Sequence, residues 1–179
     1  MRHCGRISRR GLIGGAFALV PALAVAGESA SAGEGLPAPS GDPILTVGGA
    51  ITNTNEGDEA VFDRGMLLAL PRHSLDTHTS VTDGVQHFEG FLMRDLLARV
   101  GAEGETVTAH ALNDYVIDIP MSDFERFDVL VAMTMNGRRL TARDKGPLWI
   151  VYPRDRRAEL QDIRYDYRWV WQLDSLQVR

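Results

Sequence analysis

The chain has 179 residues, with 19 Lys and Arg against 24 Asp and Glu and a single cysteine. Arg2, Arg6, Arg9 and Arg10 precede an uncharged, mostly apolar run from Gly11 to Val25; without that stretch, four basic and no acidic side chains are lost, leaving 15 against 24 and a net charge near −9. Such a charge is repelled by phosphate backbones and anionic lipid, which argues against nucleic-acid and membrane-surface binding. Because Cys4 lies in the same stretch, the remainder offers no disulfide, no thiolate metal ligand and no cysteine nucleophile.

The basic end, the apolar run and the small residues Ala24-Val25-Ala26 read as an export signal over residues 1–26, with Ala30-Ser31-Ala32 as a second cleavage pattern. Gly14, Gly15 and Pro21 break the run, which is too short for a membrane anchor. Ser8-Arg9-Arg10-Gly11-Leu12-Ile13 looks like a twin-arginine address; no aromatic follows the pair, so the general secretory route stays open. Residues 27–42, rich in Gly, Ala, Ser and Pro, are expected to be a flexible leader, and residues 43–179 a single domain.

In chain order, Ile44-Leu45-Thr46-Val47 predicts a strand closed by Gly48-Gly49. Met66, Leu67 and Leu70 predict a short helix over Asp63 to Leu70, stopped before Pro71. Ser74 to Val81 reads as strand or extended loop. Gly90 to Gly101 reads as an amphipathic helix burying Leu92, Leu96, Leu97 and Val100, with Gly101 as its C-terminal glycine. Thr106 to Leu112 and Val116 to Ile119 are strand-like around the turn pair Asn113-Asp114. Ser122 is placed to cap a helix running to Phe127. Asp128 to Met135 is an apolar strand run before Asn136-Gly137, a hairpin signal. Pro147 to Tyr152 and Trp171 to Val178 complete the strands. Short strands joined by tight turns, with a few short helices, predict a β-rich α+β domain.

His73, His78, His87 and His110 have no metal-site spacing, and the serines lack a nucleophile elbow. A denser cluster runs from Arg143-Asp144-Lys145 through Trp149 and Tyr152 to Tyr165, Tyr167, Trp169 and Trp171. Aromatic faces beside Asp, Arg and Lys suit a flat heteroaromatic ligand, whose amino-pyrimidinone edge would donate to a carboxylate. The same spacing equally describes a core strand with charges at its mouth.

Phe88-Glu89-Gly90-Phe91-Leu92-Met93-Arg94-Asp95-Leu96-Leu97, Ala111-Leu112-Asn113-Asp114-Tyr115, Lys145-Gly146-Pro147-Leu148-Trp149-Ile150-Val151-Tyr152-Pro153 and Trp171-Gln172-Leu173 resemble, in order, the molybdopterin-binding domain of the sulfite oxidase superfamily. The resemblance implies a mixed, β-rich α+β fold with a pterin pocket. Enzymes of that superfamily hold molybdenum through a cysteine; the corresponding segment here, Thr77 to Gly84, has only hydroxyls, poor replacements for a soft thiolate. Trp149 stands where those enzymes place a basic residue toward the cofactor phosphate. The chain is therefore similar to a cysteine-less, periplasmic branch that binds reduced pterins and reports them to the periplasmic part of inner-membrane GGDEF/EAL proteins, which make and degrade cyclic-di-GMP. On that resemblance Asp114 or Asp144 would bond the pyrimidinone edge, and Trp149, Tyr115 or Tyr152 would stack on the ring. Arg143, Lys145 and the Thr77 to Thr82 hydroxyls, Thr77 and Thr79 among them, would meet the carbonyl or side chain. The implied cofactor is a free reduced pterin such as a tetrahydropterin, without molybdenum, and the protein a regulator rather than an enzyme. A molybdopterin oxidoreductase lacking its cysteine, or a purely structural interaction domain, are the other classes of function.

Overall fold

The computed structural model describes residues 35–179, so the export signal expected over residues 1–26 lies outside the described residues. In chain order the elements are β1 (Pro43–Gly49), β2 (Ala60–Asp63), α1 (Arg64–Leu68), β3 (His73–His78), β4 (Val85–Leu92), α2 (Met93–Arg99), β5 (Thr106–Ala111), β6 (Val116–Pro120), α3 (Met121–Arg126), β7 (Leu130–Met135), β8 (Arg138–Arg139), β9 (Trp149–Val151), α4 (Ile163–Asp166) and β10 (Leu173–Val178). Two single-turn 3-10 segments, Arg154–Arg156 and Ala158–Gln161, precede α4.

One sheet has the order β2-β1-β10-β5-β6; the other runs β3-β4-β7-β8, with β9 also paired to β7. The first and last strands, β1 and β10, pair in parallel with Thr46 opposite Ser175, while their other neighbours run antiparallel. Both sheets feed one buried cluster, whose largest side chains include Trp149, Tyr152, Phe62, Phe88, Phe91 and Phe124. This is the β-rich α+β architecture expected from the sequence. Among the described residues, no helix is long and apolar enough to cross a membrane.

Local chemistry explains the helix boundaries. The helix expected from Gly90 begins only at Met93, because Gly90, Phe91 and Leu92 extend β4 opposite Ala132, Val131 and Leu130 of β7. A Cβ on Gly90 would lie 1.9 Å from the Val131 carbonyl oxygen, so the close approach of these strands requires glycine there. The predicted apolar stripe is correct: Leu92, Leu96, Leu97 and Val100 are all buried, and Gly101 follows α2 at φ 60°. Ser122 does not cap α3. That helix starts at Met121 after Pro120 and has no side-chain cap. Asn136 and Gly137 both adopt positive φ, as a tight hairpin turn between β7 and β8 needs.

Within the segment read as a leader over residues 27–42, contacts with the domain begin at Leu36. Leu36 is buried, and the Asn55 amide donates to the Pro37 carbonyl at 2.7 Å. The Asp63 carboxylate draws the following residues in: Oδ2 accepts from the Ser40 and Gly41 amides at 2.7 and 2.8 Å, while Oδ1 caps α1 through the Met66 amide at 2.8 Å. Hydrogen bonds to this carboxylate, rather than burial of large apolar groups, hold Ser40 and Gly41. Asn55 also covers the outer edge of β2, accepting from the Val61 amide and donating to its carbonyl. The edge strand therefore has a side chain in place of a neighbouring strand.

The Met66, Gly41 and Ser40 amides hold the Asp63 carboxyl down to about 2, against the burial that would raise it. A depressed folded-state pKa stabilises the protein fully above the ordinary aspartate value of about 4, and the effect is lost as pH falls through about 2. Asp63→Asn is therefore expected to melt below the wild type at pH 6, with the gap closing as pH falls from 5 to 2. A gap independent of pH in melting curves across that range would contradict this role.

Candidate functional site

A cleft of about 310 Å³ opens where three chain segments meet: Ser80 and Val81 after β3, Asn113 and Tyr115 at the β5–β6 turn, and Ile163, Asp166, Tyr167, Trp169 and Trp171 near the C-terminus. Each wall is fixed by local bonds. After β3, the Thr79 hydroxyl bonds that of Thr82 at 2.7 Å and accepts from the Val81 amide at 3.1 Å, closing the turn that presents Ser80 and Val81. The Thr77 hydroxyl donates to the His78 carbonyl and accepts from the Asp155 amide. Asp155 in turn accepts from the His78 amide and bonds its imidazole Nδ1, both at 2.9 Å, and these bonds hold its carboxyl below the usual range although burial opposes them.

At the β5–β6 turn, Asp114 sits at φ 64°, a left-handed position that Asp tolerates, and the Asn113 side chain accepts from the Tyr115 amide. The Tyr115 ring thus faces the C-terminal wall, where its hydroxyl donates to the Tyr167 carbonyl at 2.7 Å. Burial first, and then Tyr167, push the Tyr115 hydroxyl up from its ordinary pKa.

The C-terminal wall is anchored from behind. Asp123 of α3 is buried, accepts from the Tyr152 hydroxyl at 2.8 Å and is paired with Arg168. Burial and the Asp123 charge raise the Tyr152 hydroxyl well above its usual value, so it stays protonated and donating. Asp166 pairs with Arg154, and the Arg168 guanidinium lies 4.8 Å from the centre of the Tyr165 ring. Inside these bonds run edge-to-face and tilted ring contacts: Trp149 with Phe88 at 5.3 Å and with Trp169 at 6.4 Å, and Tyr152 with Trp169 at 6.4 Å.

These positions revise most of the expected site. Of the nine candidates, Tyr115 alone lines the cleft. Trp149 and Tyr152 are fully buried at 0 % exposure, so neither offers a face for stacking. They support Trp169, which does line the cleft. Thr77 and Thr79 spend their hydroxyls on the chain itself and position the Ser80 turn. Asp114 is exposed beside the cleft, between two residues that line it. Arg143, Asp144 and Lys145 belong to the loop before β9, away from the cleft lining. Lys145 lies 4.0 Å from Asp144 and 5.7 Å from the centre of the Trp149 ring, and Asp144 lines a separate polar pocket with Arg138 and Arg139. The sequence reading singled out Tyr167, Trp169 and Trp171 as an aromatic cluster without committing to them. Ile163 and Asp166 carried no motif, and only the return of the chain after the 3-10 turns places them at the mouth.

Chemically, the cleft offers two tyrosine and two tryptophan rings, an aspartate, an asparagine and a serine. No Lys or Arg lines it, and no cysteine occurs beyond Cys4. The buried indole Nε1 groups of Trp149 and Trp169 have no hydrogen-bond acceptor. Among the described residues, no three His, Asp or Glu side chains converge on a metal-holding point.

Residues 73–156 match the family model described as the oxidoreductase molybdopterin binding domain. Comparison with curated proteins gives no match. The matched span runs from β3 past β9 and includes Ser80, Val81, Asn113 and Tyr115, and the family is one that binds a pterin cofactor. The aromatic walls and the Asp166 and Asn113 groups fit a pterin ring. The donors do not fit the rest of molybdopterin, since the lining gives neither a thiolate for molybdenum nor a cation for the terminal phosphate.

The anchor behind the cleft makes quantitative expectations. Tyr152→Phe removes one donor from Asp123 and should cost about 1–2 kcal/mol in urea unfolding. Asp123→Ala strands both Tyr152 and Arg168 and should cost about 3 kcal/mol or more. Trp149→Ala should cost about 3–5 kcal/mol as a core truncation; a loss below about 1 kcal/mol would contradict its buried placement.

Proposed function

We propose that this protein is an exported, periplasmic pterin-binding regulator that takes a free reduced pterin in the Tyr115–Trp171 cleft and reports its occupancy to a membrane-bound diguanylate cyclase or phosphodiesterase. The observation that carries this reading is the composition of the cleft: aromatic on several sides, polar through Asp166, Asn113 and Ser80, and free of cations and thiols in its lining. A flat, uncharged, hydrogen-bonding heterocycle suits it, whereas a phosphorylated dithiolene does not. The resemblance to periplasmic, cysteine-less pterin binders supports the choice of partner and compartment.

On this reading Trp171 and Tyr115 stack on the ring and Asp166 or Asn113 meets its amino-pyrimidinone edge. Asp166 already bonds Arg154, so its second oxygen is the acceptor for a ligand amino group. The domain does no chemistry on the pterin.

The test is to purify the domain from a pterin-producing host, denature it, identify what it releases by fluorescence and mass spectrometry, and assay molybdenum in the same sample. A released pterin without stoichiometric molybdenum is expected. Stoichiometric molybdenum would instead make the protein a molybdopterin oxidoreductase. Trp171→Ala should weaken tetrahydropterin binding at least about tenfold, within the 1–3 kcal/mol typical of ring stacking. Unchanged affinity in the folded variant would remove the cleft from ligand binding.

A further inference from the structure

No arginine lines the cleft, and four of them fall on α1, β8 and the loop after it. Arg64 opens α1, Arg138 and Arg139 form β8, and Arg143 follows in the next loop. None of the four has a carboxylate partner among the described residues, whereas Arg72, Arg94, Arg126, Arg154, Arg164 and Arg168 each have one. The Arg64 Nη1 atom is buried without any hydrogen-bond partner. Burial, and then the charge of nearby Arg139, hold the Arg64 guanidinium below its ordinary pKa.

Two concavities adjoin this cationic pair. An open groove of about 540 Å³ has an apolar floor that includes Ile44, Leu45, Leu112, Leu140 and Pro147, with Arg139 and Asp174 as its charged members. A polar pocket of about 420 Å³ shares Arg139 and Leu140 with it and adds Asn136, Arg138 and Asp144. Asp63 lies opposite Pro43 in the β1–β2 register, Pro43 lines the groove, and Arg64 follows Asp63 without itself lining either concavity.

We infer that this double groove docks an extended acidic segment of a protein partner, with carboxylates on Arg139 and Arg64 and apolar side chains over Ile44, Leu45 and Leu140. Charge complementarity selects the occupant. The domain as a whole is net negative and repels an acidic chain, whereas Arg138 and Arg139 line the joined concavities without a carboxylate partner, and a carboxylate there offsets the repulsion between exposed Arg139 and half-buried Arg64. A small anion would use the arginines but leave the apolar floor uncovered, and the two joined concavities exceed what one such ion fills. The site is separate from the aromatic cleft and does not depend on what binds there.

A fluorescein-labelled peptide alternating Glu and Leu, titrated with the full domain, tests this. Binding is expected that weakens with salt, falls at least about fivefold in Arg139→Gln and further in the Arg64→Gln, Arg139→Gln double variant, and is absent for a Lys–Leu peptide. Arg139 is exposed, so its single substitution keeps the test alive if changes at Arg64 disturb folding. Failure of the wild type to bind the peptide, or equal binding by Arg139→Gln, would overturn the inference. So would displacement of the peptide by millimolar inorganic phosphate, which would make the arginines a small-anion site.

Discussion

The buried carboxylate of Asp123 is the constraint on which the candidate site depends. A carboxylate removed from water is costly unless charged or hydrogen-bonded groups surround it. Here one partner, Tyr152, comes from the residue after β9, and the other, Arg168, from the segment that walls the cleft. Satisfying that single group fixes how residues 163–171 lie against the matched part of the domain. Tyr167, Trp169 and Trp171 are then presented to one side while Tyr165 packs behind them against Phe127 and Arg168. The cleft is a consequence of a folding requirement inside the domain.

Much of the architecture was legible in the sequence because it rests on local rules. The turn residues Asn113-Asp114 and Asn136-Gly137, the stripe on α2 and the glycine after it each declare themselves within a few positions. What escaped was set by distant partners. The start of α2 depended on how close β4 comes to β7 at Gly90, and the missing cap of α3 on its following Pro120 rather than Ser122. Trp149 is the clearest case in the site. As a tryptophan in a run of charged and aromatic residues it reads as a stacking platform, but it opens β9, paired antiparallel with β7, between Leu148 and Ile150, and all three are buried. Periodicity could not reveal which of several rings point outward, because β9 is apolar on both faces.

The threonines in and after β3 show how hydroxyls can be spent on the shape of a segment. Thr77, Thr79 and Thr82 bond to the chain or to each other. Their hydroxyls maintain an extended turn at the cleft without exposing a soft donor. Ser80 is the group the turn holds out, and its oxygen is suited to hydrogen bonding rather than to molybdenum.

The family match ends at residue 156, yet more than half of the residues lining the cleft lie beyond it, between Ile163 and Trp171. The matched span thus supplies Ser80, Val81, Asn113 and Tyr115, and a stretch of fewer than ten residues, held by two ion pairs and a tyrosine hydroxyl, supplies the remaining wall. Such a division concentrates ligand preference in one short segment, yet Trp169 and Val170 within it also belong to the core, so its exposed members Ile163 and Tyr167 are the positions where the cavity can be retuned without disturbing the sheets.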